Sequence, residues 1–253
     1  MALSNLNLER YSRNILLPEI GGVGQEKLLR SKVLVVGAGG LGSPVIMYLS
    51  AVGVGNITII DHDKIELSNL QRQIIHSTEK IGGFKSDSAA SYVNKLNPDI
   101  KVISINKKVS VENVDSLVLN HDVIVDGSDN FETRYLIADS SFKNNKILVA
   151  AAITKYEGQI STWKRNENKY PCFRCLFPNK PKNALVGNCS SNGVIGSLGG
   201  FLGSLQATEV VKEILGIGES LAGFINLYDL LNNNFRKIKI NVDPECKFCS
   251  KYR

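Results

Sequence analysis

This sequence has no dense basic block, no segment repeats, and no low-complexity tract interrupts it. Its net charge of +6 and pI near 9.0 are spread along 253 residues. That favours an anionic substrate or an acidic partner and gives no nucleic-acid signature. The start, Met-Ala-Leu-Ser-Asn-Leu-Asn-Leu-Glu-Arg, lacks the basic opening and apolar run of a secretory signal, so a cytoplasmic protein is expected. Long apolar runs are missing too. The longest uncharged stretch, Asn183 to Thr208, carries Asn188, Ser190, Ser191, Asn192 and many glycines, which argues against a membrane span. Its Gly196-x-x-x-Gly200 and Gly199-x-x-x-Gly203 spacings predict a buried helix packed tightly on a neighbour.

What is present is an ordinary globular composition, 43% hydrophobic and 21% charged, long enough to bury a substantial core. Val33-Leu-Val-Val36 reads as a strand buried on both faces. It runs into Gly37-Ala-Gly39-Gly40-Leu-Gly42, a G-x-G-x-x-G turn, and then into a helical pattern from Pro44 to Val52. Such glycines permit a tight turn, close approach of backbone N–H groups to a phosphate, and close helix–sheet packing. The helix N-terminus adds partial positive charge. A second strand, Asn56 to Asp61, ends in an acidic residue about twenty positions past the turn, where a ribose hydroxyl is usually held. The polar segment His62 to Gln73 reads as a loop with a short helical turn, and His62 and His76, with no partner visible in the sequence, read as loop residues.

Downstream, Lys85 opens a helix that Asn97-Pro98 stops. Val102–Val109 is predicted as a strand, Val111–Asn120 as a helix, and Asp122–Asp126 as a buried strand feeding Asp129 and a helix to about Lys143. Strands at Ile147–Ile153 and Glu157–Trp163, a helix at Ser197–Leu215 and a hairpin from Phe224–Tyr228 and Phe235–Val242 follow. The alternation predicts an α/β fold: a Rossmann-like, mostly parallel sheet with helices on both faces and antiparallel C-terminal strands. Residues 1–253 are expected to form one domain, with a helical N-terminal segment at 1–31. A Pro/Asn/Lys loop is expected over 178–192.

Cys172-Phe-Arg-Cys175 and Cys246-Lys-Phe-Cys249 form two C-x-x-C knuckles, leaving Cys189 over. Disulfides are not expected here, whereas four thiolates are what a tetrahedral structural Zn²⁺ takes. Such a metal would tie the C-terminal part, 172–253, back to mid-chain. The competing reading is a redox pair, but neither knuckle is predicted to open a helix after a strand as in thioredoxin.

The ordered set now becomes specific: Arg10-Tyr-Ser-Arg13, the glycine turn, Asp61-x-Asp-x-Ile-x-x-Ser-Asn-Leu-x-Arg-Gln73, Lys85, Asp126-Gly-Ser-Asp-Asn130, the paired knuckles and Ser204-Leu-Gln-Ala-Thr-Glu209. From about Leu8 to Cys249 the chain resembles the MoeB/ThiF family, bacterial relatives of ubiquitin-activating enzymes. The resemblance implies an enzyme: an adenylyltransferase that uses Mg²⁺ and ATP to activate the C-terminal glycine of a ubiquitin-like sulfur carrier. That carrier would be of the MoaD or ThiS type with a Gly-Gly tail, serving molybdopterin or thiamin synthesis. By the same resemblance, Arg72 and Lys85 are cations at the reacting phosphates, Arg13 reaches across a homodimer, and Asp129 organises Mg²⁺. Gly39, Gly40, Asp61, Ser68, Asn69, Leu70, Gln71 and Asn130 would complete the nucleotide site. Cys189 matches a cysteine that in some relatives links covalently to the carrier. The sequence stops four residues after Cys249, so the rhodanese domain of some relatives is not expected and sulfur would come from a separate donor.

Taken singly, these residues have plainer readings. Arg10 and Arg13 suit a solvated helix face, Asp129 suits a helix N-cap, Lys85 suits a first-turn surface lysine, and Cys189 suits a small buried thiol. The glycine turn with Asp61 equally suits an NAD-dependent oxidoreductase, and a non-catalytic nucleotide-binding relative is the third possibility.

Overall fold

Every second residue of Val33–Val36 belongs to a different core, and that alternation sets the layers. In a computed structural model describing residues 3–165, 169–180 and 193–252, these residues lie in β1 (Lys32–Val36). Val33 and Val35 pack into one apolar cluster, and Leu34 and Val36 into another on the opposite face. A strand buried on both sides needs apolar side chains at every position. Removing one such side chain, Val35→Ala for instance, would cost on the order of 2 kcal/mol or more.

The described strands form one eight-stranded sheet in the order β3-β2-β1-β4-β5-β6-β7-β8. β2 (Asn56–Ile60), β3 (Lys101–Ile105), β4 (Val123–Asp126) and β5 (Ile147–Thr154) continue β1 in parallel. β6 (Glu157–Trp163), β7 (Phe224–Asp229) and β8 (Asn234–Lys239) add antiparallel. The chain enters through α1 (Asn5–Arg10), α2 (Ser12–Ile15) and α3 (Gly21–Arg30). Crossovers are made by α4 (Gly42–Val52), α5 (Lys85–Leu96), α6 (Val114–Leu119) and α7 (Phe131–Lys143). Strand order runs outward from β1 to β3, then restarts at β4 on the other side of β1. That reversal opens a crevice at the carboxyl ends of β1 and β4, where open α/β sheets bind ligands.

Two elements close the arrangement. A four-residue helix, α8 (Phe173–Leu176), follows β6, and a 20-residue helix, α9 (Gly196–Leu215), packs against α4 and the sheet. The glycine spacing in α9 has a steric cause. A Cβ at Gly199 would sit 2.7 Å from the Gly40 carbonyl oxygen, and one at Gly203 would sit 2.6 Å from that of Leu41. Only glycine lets the helix lie directly on the turn after β1.

Some boundaries differ from the expected ones. β3 stops at Ile105, and α6 begins at Val114 because Asn113 closes a local turn, accepting from Ser110 N–H at 2.9 Å and donating to the Lys108 carbonyl at 2.9 Å. β8 stops at Lys239. Cys172 is the N-cap residue of the four-residue α8, which does not directly follow a strand, β6 ending at Trp163.

Candidate active site

A cleft of about 660 Å³ lies at the carboxyl ends of β1 and β4. Its floor is the glycine turn. Gly37 has φ +93°, and a Cβ there would meet the Gly127 carbonyl oxygen at 2.8 Å, so the turns after β1 and β4 touch. The amides of Gly39, Gly40 and Leu41 have no acceptor among the described residues, and all three residues line the cleft. Unpartnered N–H groups at a helix start make an anion cradle.

Asp61, past the end of β2, holds this turn in place. Its Oδ2 accepts from the Ala38 N–H at 2.8 Å and its Oδ1 from the Asp63 N–H at 2.8 Å. Each carboxylate oxygen keeps a further lone pair for a ligand hydroxyl.

Lys85 is not a surface lysine. It opens α5, is only 6% exposed, lines the cleft, and its Nζ pairs with Asp63 Oδ2 at 2.8 Å. Arg72 lays its stem over Gly40, and its Nη1 donates to the Ser68 carbonyl at 3.1 Å. The predicted helical turn is a 3-10 turn, Leu67–Asn69. There buried Asn69 accepts from the Glu66 N–H at 3.1 Å, Ser68 and Gln71 are exposed, and Leu70 is half-buried. Of this segment the cleft takes Arg72 and Gln73, and the Asn69 carbonyl accepts from the Arg72 N–H at 3.1 Å.

Asp129 is exposed at the cleft wall and is not the helix cap; Asn130 is, its Oδ1 accepting from the Thr133 N–H at 2.9 Å. The Asp129 carboxylate is therefore left to face the cleft, a hard oxygen donor suited to a magnesium ion.

Several residues that support the site had no role assigned from the sequence. Buried His76 is not a loop residue without a partner. Its Nε2 lies 2.9 Å from the Ala38 carbonyl oxygen and its Nδ1 3.0 Å from Ser88 Oγ. Burial holds its pKa below the usual imidazole value. Gln206 in α9 donates to the Asp126 carbonyl at 2.9 Å, fixing the end of β4. Arg134 in α7 donates to the carbonyls of Ala151 at 3.0 Å and Ser128 at 2.5 Å. The 204–209 motif thus supplies buttresses, and Glu209 binds Thr162 Oγ1 and the Leu221 N–H.

Residues 11–248 match the ThiF family. This chain belongs to that family. As a ThiF-family chain it is 45% identical over 98% of its length to SAMP-activating enzyme E1 of Haloferax volcanii, spanning 91% of that protein. It is 42% identical over 96% of its length to the sulfur carrier protein adenylyltransferase of Thermus thermophilus, spanning 90% of that protein. With adenylyltransferase and sulfurtransferase MOCS3 of Culex quinquefasciatus it shares 43% identity over 98% of its length but spans 56% of that longer protein. Its fold superposes on Escherichia coli MccB, solved with ATP, at a TM-score of 0.83 and 23% identity, over 95% of this chain and 74% of that one.

Away from the cleft, the knuckles meet. Cys172 and Cys246 Sγ atoms are 3.7 Å apart, Cys172 and Cys175 3.7 Å, and Cys175 and Cys249 3.6 Å, all four lying within 4.8 Å of one another as free thiols. A tetrahedral zinc with bonds of about 2.3 Å has sulfur–sulfur edges of about 3.8 Å, so the donor set fits that ion. Burial and the neighbouring thiols push Cys172 up, and Cys249 up to about 11, whereas at Cys246 burial is outweighed by the N–H groups of Cys249 and Phe248 and the thiol is held below its usual value.

Besides Ser68 to Gln71, one expected residue among those described does not line the cleft. Arg13 is exposed on α2 and does not line it, whereas Arg10 pairs with Asp99 at 3.3 Å. Cys189 and most of the 178–192 loop lie outside the described residues. No helix among the described residues is long and apolar enough to cross a membrane.

Proposed function

We propose that this ThiF-family chain is an adenylyltransferase that activates the C-terminal carboxylate of a ubiquitin-like sulfur carrier with ATP. The observation that carries it is the cleft itself: free backbone amides, Arg72 and buried Lys85 converge where two anions must meet. The relatives' names, sulfur carrier protein adenylyltransferase and SAMP-activating enzyme E1, support the same substrate class. An NAD-dependent oxidoreductase or a non-catalytic relative is not favoured.

Chemically, an oxygen of the carrier's terminal glycine attacks the α-phosphorus of ATP. One P–O bond forms as the bond to the bridging oxygen breaks, giving an acyl-adenylate and pyrophosphate. Two negative charges about 4 Å apart repel strongly in a partly dry pocket. The amides of Gly39 and Gly40, with Arg72 and Lys85, offset that repulsion and the charge spreading over the phosphoryl oxygens. Asp61 would hold the ribose, with the turn of Ser68, Asn69, Leu70 and Gln71 carrying Arg72 to the wall and Asn130 beside Asp129. Asp129 would hold magnesium, which supplies further neutralisation of the phosphates when bound.

The finer reading extends the resemblance. Residues 1–253 act as one adenylation unit in the cytoplasm, and the four cysteines hold a structural zinc. Arg13 serves the partner's cleft in a homodimer. The carrier is MoaD- or ThiS-like with a Gly-Gly tail, a separate protein donates sulfur, and Cys189 is the candidate for a covalent link. Carrier-dependent exchange of labelled pyrophosphate into ATP tests the proposal. Exchange is expected with an intact carrier and not with one lacking its terminal glycine, and it should be lost in Asp129→Ala. No exchange by folded protein with either carrier type would sink it.

A further inference from the structure

The peptide joining Ala38 to Gly39 is held from outside the cleft by a residue that no phosphate would touch. Ala38 is fully buried, and its N–H is taken by Asp61 Oδ2 at 2.8 Å. Its carbonyl oxygen lies 2.9 Å from His76 Nε2. A carbonyl can only accept, so Nε2 carries the proton. In the neutral ring Nδ1 is then the acceptor for the Ser88 hydroxyl, 3.0 Å away. Ser88 sits on α5 one turn beyond Lys85. His76 therefore links the glycine turn to the helix that carries the buried lysine.

The geometry of one peptide gives this link a consequence. The described chain has no cis peptide bond, and in a trans peptide the C=O and the following N–H point in opposite directions. Fixing the Ala38 carbonyl on His76 thus fixes the Gly39 N–H on the side away from His76. Gly39 lines the cleft, and its N–H has no acceptor among the described residues. A glycine turn is free to flip such a peptide, and a flip would present a carbonyl oxygen, not an N–H, to the bound anion.

We infer that His76 is a positioning residue for the adenylation step, holding the Ala38–Gly39 peptide so that the Gly39 amide faces the nucleotide phosphates. It touches neither ATP nor carrier. The inference rests on the proposed adenylyltransferase reading only for its kinetic arm, because ATP binding can be measured without any carrier.

The test compares His76→Leu, His76→Gln and the wild type by calorimetric titration with Mg·ATP, and by pyrophosphate exchange. Glutamine places an amide N–H near the position of Nε2; leucine places none. His76→Leu should weaken ATP binding and raise the KM for ATP by about tenfold, the scale of one hydrogen bond to a charged group. The KM for the carrier should stay within about twofold, and His76→Gln should recover most of the ATP affinity. A merely structural histidine would lower the melting temperature without separating the two KM values. Unchanged ATP affinity in folded His76→Leu, or equal loss in His76→Gln, overturns the inference. Should His76→Leu not fold, the amide resonance of Gly39 in the wild type decides: it must shift downfield on adding Mg·ATP, and an unmoved resonance overturns the inference. Exchange failing in the wild type while these ATP results hold would count against the adenylation reading and leave the His76 assignment standing.

Discussion

The cleft and the cysteine cluster are both built by chain segments far apart in sequence, yet they are finished in opposite ways. The cluster is closed upon itself. Four sulfurs face one another, three of them buried, with Phe142 and Phe248 packed around them. The cleft is left open, with amides at Gly39 to Leu41 lacking acceptors among the described residues and the Asp129 carboxylate exposed. A closed set of donors holds parts of the chain together; an open set waits for a ligand. Damage to one should therefore appear in stability and damage to the other in turnover.

The sharpest separation should come from the cleft. Lys85→Ala leaves Asp63 half-exposed and hydrated, so folding should survive, while exchange should fall by about 10² to 10³-fold, the usual cost of removing one preorganised charge-stabilising donor. Arg13→Ala should be similarly inactive if it serves a partner's cleft, and mixing the two variants should restore activity through mixed dimers. Mixtures that stay dead would break the homodimer reading. The cluster should give the inverse result. Cys246→Ser, or removal of metal by a chelator, should lower the melting temperature by about 10 °C or more, while exchange per folded molecule changes little below that temperature. A melting temperature indifferent to chelation would remove the zinc assignment.

The contrast also explains what could be read from sequence. Continuous apolar strands, the glycine turn and Lys85 at the head of α5 were legible, since each signal lies within a few residues. The paired knuckles were legible because four thiols at that spacing have few other uses. His76, the role of Gln206 within the 204–209 motif, and Arg134 were not. Their partners lie 38, 80 and 17 residues away, and a side chain bonded to a distant backbone carbonyl leaves no periodic trace. Asp129 was expected in the site and lines the cleft, but its release from capping depended on Asn130 taking that role.

The smallest expected effect concerns pH. Burial lowers the pKa of both His76 and His121 from 6.5. His121 is held by the Leu117 carbonyl and Thr58 Oγ1 and is faced by Asp122, Lys146 and Lys32; His76 is faced by Asp61 and Lys85. The folded state thus prefers neutral rings. Their contribution is complete above the unfolded value of 6.5 and is lost as pH falls below it. Melting temperature should decline from pH 6.5 downward, and His121→Gln should flatten part of that decline. A melting temperature that rises on acidification would reverse the sign and contradict this.

The most direct measurement of what the open cleft does is the intact mass of a Gly-Gly-tailed carrier after brief incubation with this protein, magnesium and ATP. The account predicts a carrier heavier by one adenylyl group, attached at its terminal glycine and absent with Lys85→Ala. A carrier of unchanged mass while ATP is consumed, or an adenylyl group found on this chain instead, would contradict it.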